Sequence, residues 1–282
     1  MAQCAGFCYG VKRAVETTKK IKIENASKKV WVLGELIHNS HVIKELEELG
    51  IMTVDELPEN ENGICIVRSH GMASEKIKEA EDKGFEVVDL TCPDVKKVQQ
   101  RAVQLAREDF LVLILGKPEH PEVIAIKANA EQYSDKVYVV PDISALSSLE
   151  DKIKSIKRVG VVIQTTQKPE LLQSVTDFLL PIASELKVFN TICKSTAMRQ
   201  QEARELAKTS DLMIVAGSKK SANTSHLAEI LKGITQTIHI ETAKDLEFYT
   251  ELIENAQNIG VTAGASTPEN IIKDVIKRLN EI

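Results

Sequence analysis

Apolar positions along this chain switch between a helical spacing and short continuous runs, and the pattern occurs three times. Cys8 stands ahead of VKRAVETTKKI, Cys92 ahead of PDVKKVQQRAVQLARE, and Cys193 ahead of KSTAMRQQEARELAK. In these segments apolar residues recur at three- and four-residue spacing, as at Val95, Val98, Ala102, Leu105 and Ala106, which is the stripe of an amphipathic helix. A short continuous apolar run ending in glycine follows each helix: VWVLG to Gly34, FLVLILG to Gly116 and DLMIVAG to Gly217, at 26, 24 and 24 residues from the cysteine. A polar loop and another helical segment then lead into a second apolar run, GICIV, RVGVVI or NIGVTAG. Each of these ends in a polar tip, RSHG with His70, QTTQ with Thr165 and Thr166, or GAST with Ser266. From cysteine to tip the separations are 62, 73 and 73 residues.

Continuous Val, Ile and Leu runs separated by helices are the pattern of a parallel sheet covered on both faces. The long period predicts an α/β chain of three similar units with mainly parallel sheets, spanning 1–92, 93–192 and 193–282. Ligands of such sheets bind beyond the carboxyl ends of the strands, where all the polar tips fall. Equivalent loops facing a common axis would bring Cys8, Cys92 and Cys193 together across separations of 84 and 101 residues. A lone cysteine is more often a core residue. Equivalent placement in three repeats is what sets this trio apart.

Composition narrows the field. The formal charge of the 282 residues is -5, with both signs mixed along the chain, so the basic stripe that nucleic acid requires is missing. No apolar run approaches the roughly 20 residues that span a bilayer, and the start, AQCAGFCYG, has neither a basic n-region nor an apolar h-region. A cytoplasmic location is expected. Five cysteines, Cys4, Cys8, Cys65, Cys92 and Cys193, are an odd count without a secretory context, which argues for reduced thiols, some of them on a metal.

Three cysteine ligands leave one position unfilled on either of two metal centres. A zinc ion would take a fourth ligand or water, whereas a 4Fe-4S cluster would keep one iron without a protein ligand. Such an open iron binds a substrate oxygen as a Lewis acid and also delivers electrons. The absence of CxxC knuckles weakens the structural zinc reading. Each thiolate would also lie near a helix N-terminus, where the dipole favours ionised sulfur. Cys4 forms a CxxxC pair with Cys8 but has no equivalent in the other repeats, and Cys65 lies inside an apolar run as a core residue would.

The loops around this centre carry His38, His70, His120, Thr165, Thr166, Ser221, Asn223 and Ser266. Each alone is commonly a cap or turn former. Together with helix N-terminal N–H groups they suit a phosphate or diphosphate. His41 reads as a solvated or capping residue, and His226 and His239 have no repeat equivalents. Glu122, two residues after His120, is the one carboxylate placed within this set. It could simply complement a helix dipole. Beside a bound diphosphate its pKa would instead rise, making it a proton donor.

The segments AGFCYGVKRAV, IHN, RSHG, TCPDVKKV, HPEV, QTTQ, NTICKSTAMRQ, GSKKSANT and VTAGASTP resemble, in order and spacing and over essentially the whole chain, the motifs of the 4-hydroxy-3-methylbut-2-enyl diphosphate reductases. The resemblance implies a pseudo-threefold trefoil of α/β units around one 4Fe-4S cluster with three cysteine ligands, Cys8, Cys92 and Cys193, and one open iron. It implies the last step of the methylerythritol phosphate route. Two electrons and two protons remove the allylic hydroxyl of the substrate as water, giving isopentenyl and dimethylallyl diphosphate. His38, His70, His120, Ser221, Asn223 and Ser266 would hold the diphosphate. Glu122 would relay protons, with Thr165 positioning the substrate hydroxyl. A ferredoxin or flavodoxin would supply the electrons.

Three features depart from the family pattern. Only a few residues precede Cys8, where members usually have a first strand; Ala222 stands where many have a second serine; and HPEV runs into IAIKA where a glycine-threonine pair is common. The competing readings are a quinolinate synthase-like dehydratase, which the ordered motifs fit poorly, a non-catalytic iron-sulfur sensor or scaffold, and a zinc-binding structural protein.

Overall fold

Val and Ile crowd the apolar runs, and their β-branched side chains favour pleated backbone packed on both faces. In the computed structural model, which describes residues 1–282, each of those runs is a parallel strand. The chain runs α1 (Tyr9–Glu24), β1 (Val30–Leu33), α2 (Ser40–Glu48), β2 (Ile51–Val54), β3 (Ile64–Val67), α3 (Ser74–Asp82) and β4 (Glu86–Asp89). It continues with α4 (Pro93–Arg107), β5 (Leu111–Leu115), α5 (Pro121–Glu131), β6 (Val137–Val140), α6 (Glu150–Ile156), β7 (Arg158–Ile163), α7 (Pro169–Leu179) and β8 (Glu185–Phe189). The last stretch is α8 (Lys194–Ala207), β9 (Leu212–Ala216), α9 (Ala222–Lys232), β10 (Gln236–Ile240), α10 (Thr250–Glu254), β11 (Ile259–Ala263) and α11 (Glu269–Leu279).

Three sheets result, with strand orders β2-β1-β3-β4, β6-β5-β7-β8 and β10-β9-β11, and every pairing is parallel. The six strands predicted from apolar runs are the inner ones of the first two sheets, together with β9 and β11. The pattern missed β2, β4, β6, β8 and β10. These lie at sheet edges and are only partly buried, so they lack the continuous apolar run of a covered strand.

By compactness the chain forms two units. One contains residues 18–36 and 50–192 and holds the first two sheets; the other contains residues 1–17, 37–49 and 193–282 and holds the third. In the larger unit, Leu111, Leu113 and Leu115 pack on one side of the second sheet against α7 residues Val175 and Leu179. Val112 and Ile114 pack on the other side against Val98, Ala102 and Leu105 of α4 and Val123 and Ile126 of α5. The smaller unit repeats this design. Leu212 and Ile214 meet Ile272 and Val275 of α11, while Met213 and Val215 meet Ala203 and Ala207 of α8 and Leu227 and Leu231 of α9. Double coverage of each central strand is what its unbroken apolar sequence encodes.

The third sheet has three strands where the others have four. In the first two, β4 and β8 lead into Cys92 and Cys193. The corresponding lead into Cys8 is the N-terminal segment, and it meets the sheet through one bond, from the Ala2 N–H to the Val261 carbonyl at 2.9 Å. No helix is long and apolar enough to cross a membrane.

Candidate active site

The strand ends fix where chemistry can occur. The runs of β1, β5, β9 and β11 stop at glycines whose backbone or close packing excludes most side chains. Gly217 has φ +135, and at Gly116 an added Cβ would lie 2.7 Å from both Gln164 Oε1 and Val123 Cγ2. The next helix then starts with an exposed set of N–H groups that need acceptors. Side chains of Asn39, His120, Cys193 and Ser221 cap α2, α5, α8 and α9, whereas Cys92 stands at the N-cap position of α4 without a side-chain bond. Three of the expected site residues, His120, Cys193 and Ser221, are therefore also helix caps.

In the larger unit, the tip after β7 meets the start of α5. The Thr165 N–H donates to Glu122 Oε1 at 2.7 Å, and the Thr165 hydroxyl donates to Glu122 Oε2 at 2.7 Å. Glu122 is 1% exposed. Burial pushes its pKa up from 4.5 to about 7 and the nearby Asp94 adds to the rise, while the two Thr165 bonds oppose it. A carboxyl so placed carries a proton over part of the neutral range and releases it over the rest.

His120 Nδ1 accepts the Glu122 N–H at 3.2 Å, which assigns the ring's proton to Nε2 when it is neutral. The His70 and His120 rings stand edge to face with centroids 5.5 Å apart. The RSHG tip is tied in turn to the cysteine. Cys92 N–H donates to the Ser69 carbonyl at 2.9 Å, and Ser69 bonds through N–H and hydroxyl to the Leu36 carbonyl. Proline at the first position of α4 and of α5 prepares both helix starts. Cys92, His70, His120, Glu122 and Thr165 thus all lie at strand carboxyl ends of this unit.

The smaller unit carries the remaining residues. Cys8 Sγ accepts the Val11 N–H at 3.5 Å, and Cys193 Sγ accepts the Thr196 N–H at 3.3 Å. The Thr196 hydroxyl lies 3.1 Å from Cys193 Sγ and donates to Asn223 Oδ1 at 3.4 Å. Both sulfurs therefore accept an N–H of the first turn of the helix they precede. Asn223 is buried, and its Nδ2 has no acceptor in the protein. The Ser266 hydroxyl donates to the His38 carbonyl at 3.4 Å, and Asn39 Nδ2 donates to the Ser266 carbonyl at 2.8 Å. This pair of bonds joins the loop of His38 to the loop of Ser266. Ser221 Oγ is spent on capping, accepting the Thr224 N–H at 3.5 Å.

Cys65 lies fully buried in β3, where burial pushes its thiol up to about 11. No disulfide involves any of the five cysteines. His41 is exposed, as a solvated residue should be. Sequence reasoning missed Thr196 and Arg199, both buried on α8. Thr196 was within reach of a rule, since position three of a helix is where a cap is answered. Arg199 had no such local signal.

A family model described as LytB protein matches residues 1–280 of this chain. The chain belongs to the LytB family. A curated relative from Pelobacter propionicus, named 4-hydroxy-3-methylbut-2-enyl diphosphate reductase, is 42% identical over 283 residues, covering 100% of this chain and 97% of that protein. Two solved structures are also similar. One, described as (E)-4-hydroxy-3-methyl-but-2-enyl diphosphate reductase, the terminal enzyme of the non-mevalonate pathway, is 38% identical, with a TM-score of 0.72 and coverage of 100% of this chain and 98% of that one. The other LytB-like structure is the E-1-hydroxy-2-methyl-but-2-enyl-4-diphosphate reductase from Plasmodium falciparum, 26% identical, with a TM-score of 0.86 and coverage of 97% and 85%.

Proposed function

We propose that this protein is a 4-hydroxy-3-methylbut-2-enyl diphosphate reductase, acting on a small allylic diphosphate at the end of the methylerythritol phosphate route. The observation that carries the reading within this LytB family member is Glu122. It is a fully buried carboxyl with a pKa near 7, held at both oxygens by Thr165.

The donor set fits an iron-sulfur cluster. Cys8, Cys92 and Cys193 each begin a helix, two of the sulfurs accept first-turn N–H groups, and no CxxC zinc knuckle is present. In this reading the three thiolates hold one 4Fe-4S cluster at the centre of a pseudo-threefold arrangement of α/β segments, 1–92, 93–192 and 193–282, with one iron left open. When bound, the cluster supplies two electrons and a Lewis-acidic iron for the substrate hydroxyl.

The chain's own residues do the rest. His38, His70, His120, Ser221, Asn223 and Ser266 bind and orient the diphosphate, and the unpaired Asn223 Nδ2 is suited to one of its oxygens. The Thr165 hydroxyl, bonded to Glu122 Oε2, positions the substrate hydroxyl and relays the Glu122 proton toward it. The Glu122 carboxyl donates a proton as the C–O bond breaks, so that hydroxide leaves as water. A second proton reaches the allyl carbon skeleton, which gives isopentenyl or dimethylallyl diphosphate. A ferredoxin or flavodoxin type protein is the electron source.

The test is an anaerobic assay of reconstituted protein with (E)-4-hydroxy-3-methylbut-2-enyl diphosphate and a low-potential reductant. Formation of both isoprenoid diphosphates is expected. A brown, cluster-loaded protein that forms neither would overturn the proposed activity.

A further inference from the structure

Arg199 occupies a costly position. It lies in the second turn of α8, is only 3% exposed, and its Nε has no acceptor. A buried cation is stabilised only where charge and hydrogen bonds compensate it. Its other nitrogens are aimed at the segment leading into Cys8. Nη1 donates to the Cys4 carbonyl and Nη2 to the Gly6 carbonyl at 2.8 Å. One helical turn further, on the same face of α8, Glu202 receives the Gln3 N–H and, at 2.8 Å, the Cys4 N–H. The segment is also pinned at both ends, by Ala2 N–H on the Val261 carbonyl at 2.9 Å and by Cys8 N–H on the Ala265 carbonyl at 3.1 Å.

Between those two bonds, Arg199 and Glu202 hold the backbone of Gln3, Cys4 and Gly6. Burial lowers the guanidinium's pKa, and the charges that oppose this are, in order, those of Cys8, Cys4, Cys193 and Glu202. The guanidinium is bonded to Gly6, two residues before Cys8, and its charge acts on the sulfurs of Cys8 and Cys193, two of the three assigned to the cluster.

We propose that Arg199 is a positioning residue for Cys8 and also biases the redox balance of the centre, its forked contacts fixing the Cys4–Gly6 backbone and its positive charge favouring the reduced state. The inference rests on the reading of Cys8 and Cys193 as cluster ligands. Reduction adds one negative charge to a centre already bearing thiolates, and a fixed buried cation stabilises that added charge; net charge and surroundings are established determinants of cluster potential.

Wild type, Arg199→Lys and Arg199→Met, each reconstituted anaerobically, decide the matter. Iron and sulfide are counted first, and a wild type that takes up neither removes the cluster reading itself. Midpoint potentials then come from redox titration followed by electron paramagnetic resonance, and amide exchange is followed over residues 2–8. In Arg199→Met the reduced-to-oxidised ratio at fixed potential is expected to fall about tenfold, a shift of about 59 mV for a one-electron couple. Arg199→Lys keeps the charge and loses the fork. It is expected to hold the wild-type midpoint while exchanging faster over residues 2–8. A cluster-loaded Arg199→Met with the wild-type midpoint overturns the proposal, as does Arg199→Lys with unaltered exchange. Should Arg199→Met fail to load, Arg199→Lys decides alone: faster exchange at the wild-type midpoint supports the proposal, and any other result overturns it.

Discussion

Replacing Glu122 by Gln changes one group and leaves its contacts nearly intact. The amide oxygen can accept the Thr165 N–H, and the amide nitrogen can donate to the Thr165 hydroxyl oxygen, so both partners at 2.7 Å are kept. What disappears is the ionisation. Glu122 carries a pKa raised from 4.5 to about 7, chiefly by burial. A carboxyl raised in the folded state gives its full stabilising contribution below pH 4.5, and this is lost as pH rises through 7. The shift corresponds to about 3 kcal/mol. Urea unfolding of wild type and Glu122→Gln at pH 5 and pH 8.5 isolates the effect, because other titrating groups contribute equally to both proteins. The variant should gain about 3 kcal/mol on wild type between the two pH values. Turnover should fall by roughly 10²- to 10⁴-fold, the usual size of a general acid's contribution, with diphosphate binding retained. A relative gain under about 1 kcal/mol would mean that Glu122 ionises in the ordinary carboxylate range, and the proton-donor assignment would lose its physical basis. Normal turnover by the variant would remove Glu122 from the mechanism outright.

Other perturbations test neighbouring parts of the argument. Cys92→Ser should lose most iron and sulfide on anaerobic isolation, measured by metal and acid-labile sulfide analysis; a colourless wild type containing zinc would refute the cluster. Thr165→Val removes one of the two bonds that hold the Glu122 pKa down, so the alkaline limb of the pH-rate profile should move up by about one unit. Asn39→Ala removes the cap of α2 and its 2.8 Å bond to the Ser266 carbonyl, and should cost about 1–2 kcal/mol in urea unfolding. At Gly264 an added Cβ would overlap Thr224 Oγ1, so Gly264→Ala should destabilise by about 1–3 kcal/mol, read as a lower melting temperature.

The expected sites differ in how well local sequence announced them. The helix-start positions of His120 and Ser221 were legible because each stands between an apolar run and a helical stripe, and capping chemistry is local. The edge strands β2, β4, β6, β8 and β10 were not, since a partly exposed strand carries no continuous apolar run. Arg199 read as one more charge on a polar helix, because nothing within a few residues says that its face of α8 is covered by the chain's first residues.

Sequence by itself determined the three-fold recurrence of helix and strand, the covered central strands and the placement of polar tips at strand ends, since these follow from continuous apolar runs and a 3.6-residue period within short windows. Tertiary structure alone decided the rest. It placed α2 in the compact unit of the third sheet, where Asn39 reaches Ser266 from 227 residues away. It also turned Glu122 from an ordinary first-turn carboxylate into one with a pKa near 7, through burial and through Thr165, 43 residues distant. Desolvation is set by whatever the fold packs around a group, and that packing comes from parts of the chain that no local pattern connects.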